Sequence, residues 1–170
     1  ASNTANGSGA LYSNTTGNQN TATGTQALFL NTTGNRNIAT GVVALWHNTT
    51  GNRNVAIGTA ALYDNTTGRS NIAIGSEALV RNTTGSHNTA IGDSALSFPR
   101  NWSYNTAIGS KALYSNSGNY NTAIGFEALY SNSGYYNTAI GSKALYSNSG
   151  YYNTANGYYA LYSNTTGGAN

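Results

Sequence analysis

Apolar and polar positions along this chain follow neither a helical period nor a plain alternation. They follow one short segment that returns throughout. Asn-Thr-Ala-Ile-Gly, with variants, carries its glycine at Gly7, Gly24, Gly41, Gly58, Gly75, Gly92, Gly109, Gly125, Gly141 and Gly157, a spacing of 17 residues for six steps and 16 for three. Leucine keeps a column of its own, from Leu11, Leu28 and Leu45 through to Leu145 and Leu161. Self-similarity at a fixed period is the signature of a stacked repeat architecture, and a disordered tract has no reason to hold leucine at one position. The change of period is local. Residues 31–34 read Asn-Thr-Thr-Gly, whereas residues 116–118 read Asn-Ser-Gly, so one turn residue is missing. Turns tolerate such a loss and strand ladders do not, so the strands on either side are expected to be untouched.

Each coil is expected to run strand, corner, strand, corner. The first strand is Asn-x-Ala-x, as at residues 54–57, and Gly58 with two variable residues turns the chain. The second is Ala-Leu-Tyr-Ser, as at residues 112–115. Asn-Thr-Thr-Gly forms the other corner, since Asn and Gly accept a positive φ. A helix is excluded by the apolar spacing and by the weight of Gly, Asn and Thr. Stacking sets like residues over like at about 4.8 Å. Within the first strand Val55 and Ile57 share one face and Ala56 takes the other. Both faces are apolar, the pattern of a strand covered on both sides. One coil is too thin to cover both, so the second face is expected against another chain. The expected fold is all-β: a parallel β-solenoid of ten 16–17-residue coils, one tandem-repeat domain over residues 1–170.

Composition narrows the function. Only 6% of residues are charged, against about 25% in an ordinary globular protein. A net charge of +3 makes no phosphate-neutralising patch, so a nucleic-acid partner is not expected. Apolar runs are far too short for a membrane-spanning helix, and membrane insertion is not expected either. With no Cys there is neither a disulfide nor a thiolate metal site, and with no Met and nothing signal-like at Ala1, any leader is expected to have been removed. The acids are Asp64, Glu77, Asp93 and Glu127, and the histidines His47 and His87 lie in different coils at non-equivalent positions. No carboxylates pair at matching positions in adjacent coils. Nucleotide, zinc-protease and nucleophile-elbow fingerprints are missing, as is the Asp-bearing nonapeptide of calcium β-rolls. No enzyme, cofactor or metal is therefore expected.

The candidate binding residues are aromatic and basic. Tyr12, Phe29, Trp46 and Tyr63, then Tyr114, Tyr130, Tyr146 and Tyr162, occupy the position after Leu and read first as a stacking ladder. Tyr135, Tyr136, Tyr151 and Tyr152, with Tyr120, fall in turns, where exposed rings point to glycan or peptide contact. Arg36 and Arg53 share one position in adjacent coils, where they either splay into solvent or clamp an anion such as an acidic sugar. Lys111, Glu127 and Lys143 form a column of alternating charge. In coil six Pro99 interrupts the pattern, and Phe98, Arg100 and Trp102 read either as a binding cluster or as a repaired insertion whose rings fold back on the roll. Asn-x-Ser/Thr sequons recur at Asn14, Asn31, Asn48, Asn65, Asn82, Asn101 and Asn164, mostly as a by-product of the turn sequence.

Asn88-Thr89-Ala90-Ile91-Gly92 resembles the head repeats of trimeric autotransporter adhesins, and the Ala-Leu-Tyr-Ser-Asn-Thr-Thr-Gly stretches resemble repeats of trimeric bacterial and phage fibre proteins. The resemblance covers the whole chain. It implies a left-handed parallel β-roll, three chains to a head, and an extracellular or cell-surface role in binding surfaces or spacing a tip from a cell. The expected partners are copies of the chain, with cell-surface glycans or proteins beyond them. The expected function is an adhesive or structural fibre segment. The alternative is a self-stacking filament subunit, since Asn170 falls at the repeat position of Asn3 and would let coils continue in register. Ice binding is a minor alternative: Thr21 and Thr23 pair as on an ice face, but Val55 with Ile57 turns that face greasy.

Overall fold

A computed structural model describes residues 2–98, 101–165 and 167–169. It is an all-β parallel solenoid without helix among these residues. Ten strands form one parallel sheet: β1 (Thr4–Asn6), β2 (Thr21–Thr23), β3 (Ile38–Thr40), β4 (Val55–Ile57), β5 (Ile72–Ile74), β6 (Thr89–Ile91), β7 (Thr106–Ile108), β9 (Thr122–Ile124), β11 (Thr138–Ile140) and β13 (Thr154–Asn156). Ten repeats bounded in this way enclose about nine turns. The register is the repeat itself, with Ala56 over Ala73 and Ile57 over Ile74. The shortened period is absorbed without slippage, as Ala107 pairs Ala123.

The second strand differs from expectation. Ala-Leu-Tyr is a turn, because the leucine takes a left-handed backbone in every coil, for example φ 51° at Leu62 and 50° at Leu113. A strand needs a negative φ there. Two-residue strands form one step later instead, at β8 (Ser115–Asn116), β10 (Ser131–Asn132), β12 (Ser147–Asn148) and β14 (Ser163–Asn164), and make a four-stranded sheet. Most 17-residue coils lack this strand for a visible reason. At their corner three successive N–H groups, those of Thr32, Thr33 and Gly34, converge on the Thr49 carbonyl at 3.0–3.3 Å. In the 16-residue coils Ser115 and Ser117 donate one each, to Tyr130 and Asn132, both at 2.8 Å. The deletion therefore changes more than a turn: it regularises the ladder beside it.

The interior is small. Each inner coil contributes two alanines and one leucine, such as Ala56, Ala61 and Leu62, all fully buried, while Leu161 of the last coil is exposed. Two asparagine columns complete it. In one, Asn48 Nδ2 donates to Asn31 Oδ1 at 2.8 Å and to the Gly51 carbonyl at 3.1 Å, and Asn65 repeats the pattern on Asn48. In the other, the Asn54 N–H donates to Asn37 Oδ1 at 3.0 Å while Asn54 Nδ2 donates to the Gly68 carbonyl at 2.8 Å. Turn residues in the sequence are thus core residues in the fold. Asn31, Asn48, Asn65 and Asn82 have no exposed surface, so those four sequons offer no glycan acceptor in the folded chain.

Candidate functional site

Side chains alternate along the long sheet. Alanine turns inward and its two neighbours turn outward, so the outer face carries two columns. One holds Ile57, Ile91, Ile108, Ile124 and Ile140, each 36–41% exposed. The other begins with Thr4, Thr21, Ile38, Val55 and Ile72 and is threonine from Thr89 to Thr154. The face expected to meet another chain is therefore the one bearing Val55 and Ile57, and Ala56 is the core side.

A second surface follows the corner between the Gly turn and the long sheet. It is built from two adjacent columns. The outer one runs Gln19, Arg36, Arg53, Ser70, His87, Tyr104, Tyr120, Tyr136, Tyr152, and every member has φ between 55° and 61°. The preceding column is Asn18, Asn35, Asn52, Arg69, Ser86, Ser103, Asn119, Tyr135, Tyr151. Its side chains pin successive backbones together: the Asn18 N–H donates to Asn35 Oδ1 and the Asn35 N–H to Asn52 Oδ1, both at 2.8 Å, and the Arg69 N–H donates to Ser86 Oγ at 3.1 Å.

At the basic end of this corner lies an open groove of about 740 Å³ lined by Asn35, Arg36, Asn52, Arg53, Arg69 and His87 among others. Arg36 Nε donates to Gln19 Oε1 at 2.8 Å. Among the described residues none of these arginines meets a carboxylate; the close approaches of a basic to an acidic side chain are His47 Nδ1 to Asp64 at 3.2 Å and Lys143 to Glu127 at 3.6 Å. Sequence reasoning found Arg36 and Arg53 but missed Arg69, which stands one position earlier in its coil. Its signal was adjacency to Ser70, the residue in the arginine column.

At the aromatic end, His87, Tyr104, Tyr120, Tyr136 and Tyr152 stack at 4.9–5.0 Å with planes within 5°. Tyr135 and Tyr151 stack beside them at 5.7 Å. The rings cover one another's faces, so along the column they present edges and hydroxyl groups. The expected column after Leu is also stacked, Tyr12, Phe29, Trp46 and Tyr63 at 5.0–5.6 Å and Tyr114, Tyr130, Tyr146 and Tyr162 at 4.9–5.0 Å.

The coil-six residues take different neighbours. Phe98 lies under the Arg81 guanidinium, 4.3 Å from the ring centre, and against Tyr114 at 5.0 Å. Trp102 stands where other coils have Gly, its carbonyl accepting from Asn88 Nδ2 at 2.8 Å as that glycine's would, and its ring meets Tyr135 edge-on at 5.8 Å. Arg100 lies outside the described residues. Trp102 thus joins the tyrosine corner, whereas Phe98 extends another column. In the charge column the Glu127–Lys143 contact forms, and no ion pair reaches Lys111 among the described residues.

Comparison with known protein families, with curated proteins and with solved structures gave no match for this chain.

Proposed function

We propose that the chain is an extracellular structural and adhesive fibre segment that assembles with copies of itself, as a parallel homotrimer of left-handed β-rolls, through the outer face of the long sheet. The carrying observation is that face: a flat column of isoleucines, stacked one per coil and more than a third exposed from Ile91 to Ile140. A contiguous apolar stripe on a soluble surface is a contact surface, and its regular spacing fits a partner with the same spacing, which a second copy in register has. The resemblance of the repeats to trimeric adhesin heads supports three chains and the hand of the coil. The rest of the surface, carrying few charges and repeating ladders, suits a spacer that presents shallow contacts many times over.

Light scattering on the native protein tests this. The expected mass is that of three chains of 17.6 kDa. Ile91→Lys with Ile108→Lys is expected to give single chains that keep their β circular-dichroism signal, because both side chains lie outside the interior. A wild-type mass of one chain with the fold intact would refute the assembly.

A further inference from the structure

One groove gathers three like charges with no opposite charge in its lining. Three of its seven lysines and arginines, Arg36, Arg53 and Arg69, line the corner groove, and none of its four carboxylates does. The three stand on successive coils, one step of about 4.8 Å apart. Like charges so placed repel, and elsewhere the fold relieves this with an opposite charge, as at Glu127 and Lys143. Here no counter-charge is supplied by the described residues. The backbones that carry the groove are tied coil to coil by the asparagine and serine ladder, whose Asn18, Asn35 and Asn52 line it, which fixes the spacing of the guanidinium groups. Guanidinium forks match planar carboxylates.

The same corner continues into a row of tyrosine edges, one hydroxyl-bearing ring per coil from Tyr104 to Tyr152. That continuation separates the kinds of polyanion. Single-stranded nucleic acid binds by stacking bases on free aromatic faces, and these faces are occupied by the neighbouring rings. A sugar chain asks instead for hydroxyl and amide hydrogen-bonding groups, and a pyranose unit is close to one coil in length. We infer that this corner binds a linear acidic polysaccharide, its chain parallel to the solenoid axis, with sugar carboxylates on Arg36, Arg53 and Arg69 and sugar hydroxyls along the asparagines and tyrosines. This goes beyond self-assembly and uses a different face of the coil.

Calorimetric titration of the assembled protein at low salt with oligogalacturonate is the test. The controls are its fully methyl-esterified form, single-stranded DNA of similar charge, and phosphatidylglycerol vesicles. The variant Arg36→Gln, Arg53→Gln, Arg69→Asn places at each position a residue that already occupies the same column, as Gln19 and Asn52 do. It is expected to lose about tenfold or more in affinity for oligogalacturonate with mass and melting temperature unchanged, while the ester fails to bind the wild type. Arg53→Gln alone, expected to weaken binding several-fold, decides the matter if the triple variant melts early. Unchanged affinity in the variants, equal binding of the ester, or DNA or vesicles bound as tightly as the uronate would overturn the inference. Ile91→Lys with Ile108→Lys separates it from the assembly proposal, since single chains keep the groove and are expected to keep measurable binding.

Discussion

Leucine at φ near 50° costs about 1–2 kcal/mol relative to an ordinary backbone, yet it occupies that conformation in every coil. Burial explains the choice. Leu62 is fully enclosed, and enclosing a leucine contributes about 1.5–3 kcal/mol, enough to outweigh the strain. Leu62→Ala keeps the strain and loses the burial, so urea denaturation is expected to show a loss of about 2–5 kcal/mol. The asparagines act by a different route. Asn65 donates to Asn48 Oδ1 and to the Gly68 carbonyl and accepts from Asn82 Nδ2. The Gly68 carbonyl keeps Asn54 as a donor, but Asn48 Oδ1 would be left buried and unpaired. Asn65→Ala is expected to cost about 2–3 kcal/mol in the same experiment, whereas Asn101, which is exposed, is expected to tolerate alanine within about 0.5 kcal/mol.

The coil as an element depends on close backbone approach and on its columns. At Gly58, with φ 134°, an added Cβ would lie 2.5 Å from the Gly75 carbonyl oxygen. Gly58→Ala is therefore expected to destabilise by about 3 kcal/mol or more, because neither the strain nor the clash can relax against another backbone. Lys143 of the charge column and the neighbouring Tyr146 couple the fold to alkaline pH. Lys143 titrates above its ordinary range, held first by a hydrogen bond to Tyr159 and then by Glu127, against some desolvation. Tyr146 is also raised, first by burial and then by the Glu127 charge. In both cases the folded chain holds its proton more tightly than the unfolded one. Their stabilisation is complete below the unfolded values and is lost as pH rises through the folded ones. The urea midpoint is expected to be flat from neutral pH to about 9 and to fall above about 10. Glu127→Gln should shallow that fall, since Glu127 raises both groups.

Across the whole molecule, coils meet chiefly their immediate neighbours, the Trp102 ring reaching past one coil to Tyr135, so stability is close to a chain of nearest-neighbour contacts. One link of the asparagine ladder is incomplete. Asn82 Oδ1 is buried without a donor, and one repeat later the sequence has Pro99 where most coils have Asn. Hydrogen exchange should therefore show the amides around Asn82 opening sooner than those around Asn48, whose side chain is bonded on both sides. Equal protection would mean that the break costs nothing. Assembly through the isoleucine face would couple the coils of separate chains as well, and the melting temperature should then rise with protein concentration.

Period and composition were enough to establish a parallel β-solenoid, its register, its alanine and leucine columns and the stacked ring column after Leu, whereas the turn tyrosines, read as exposed contact rings, are stacked as well. A repeat that returns every 16 or 17 residues can bury its apolar positions only by stacking, and stacking places like over like. The sequence also named Arg36, Arg53, Tyr136 and Tyr152, since residues at one repeat position share one column. Three matters were decided only in three dimensions. Leucine was read as a strand residue, because its propensity says nothing of a left-handed turn that tertiary burial makes worthwhile. Asparagine was read as a corner residue, because one amide satisfies either a turn or a neighbouring coil and only the stack supplies the second partner. The basic and aromatic corner is the third: His87 and Tyr104 repeat the position of Arg36 and Arg53, and Arg69 precedes it by one residue, but how the coil bends decides that these two columns face outward as one groove and one stacked row.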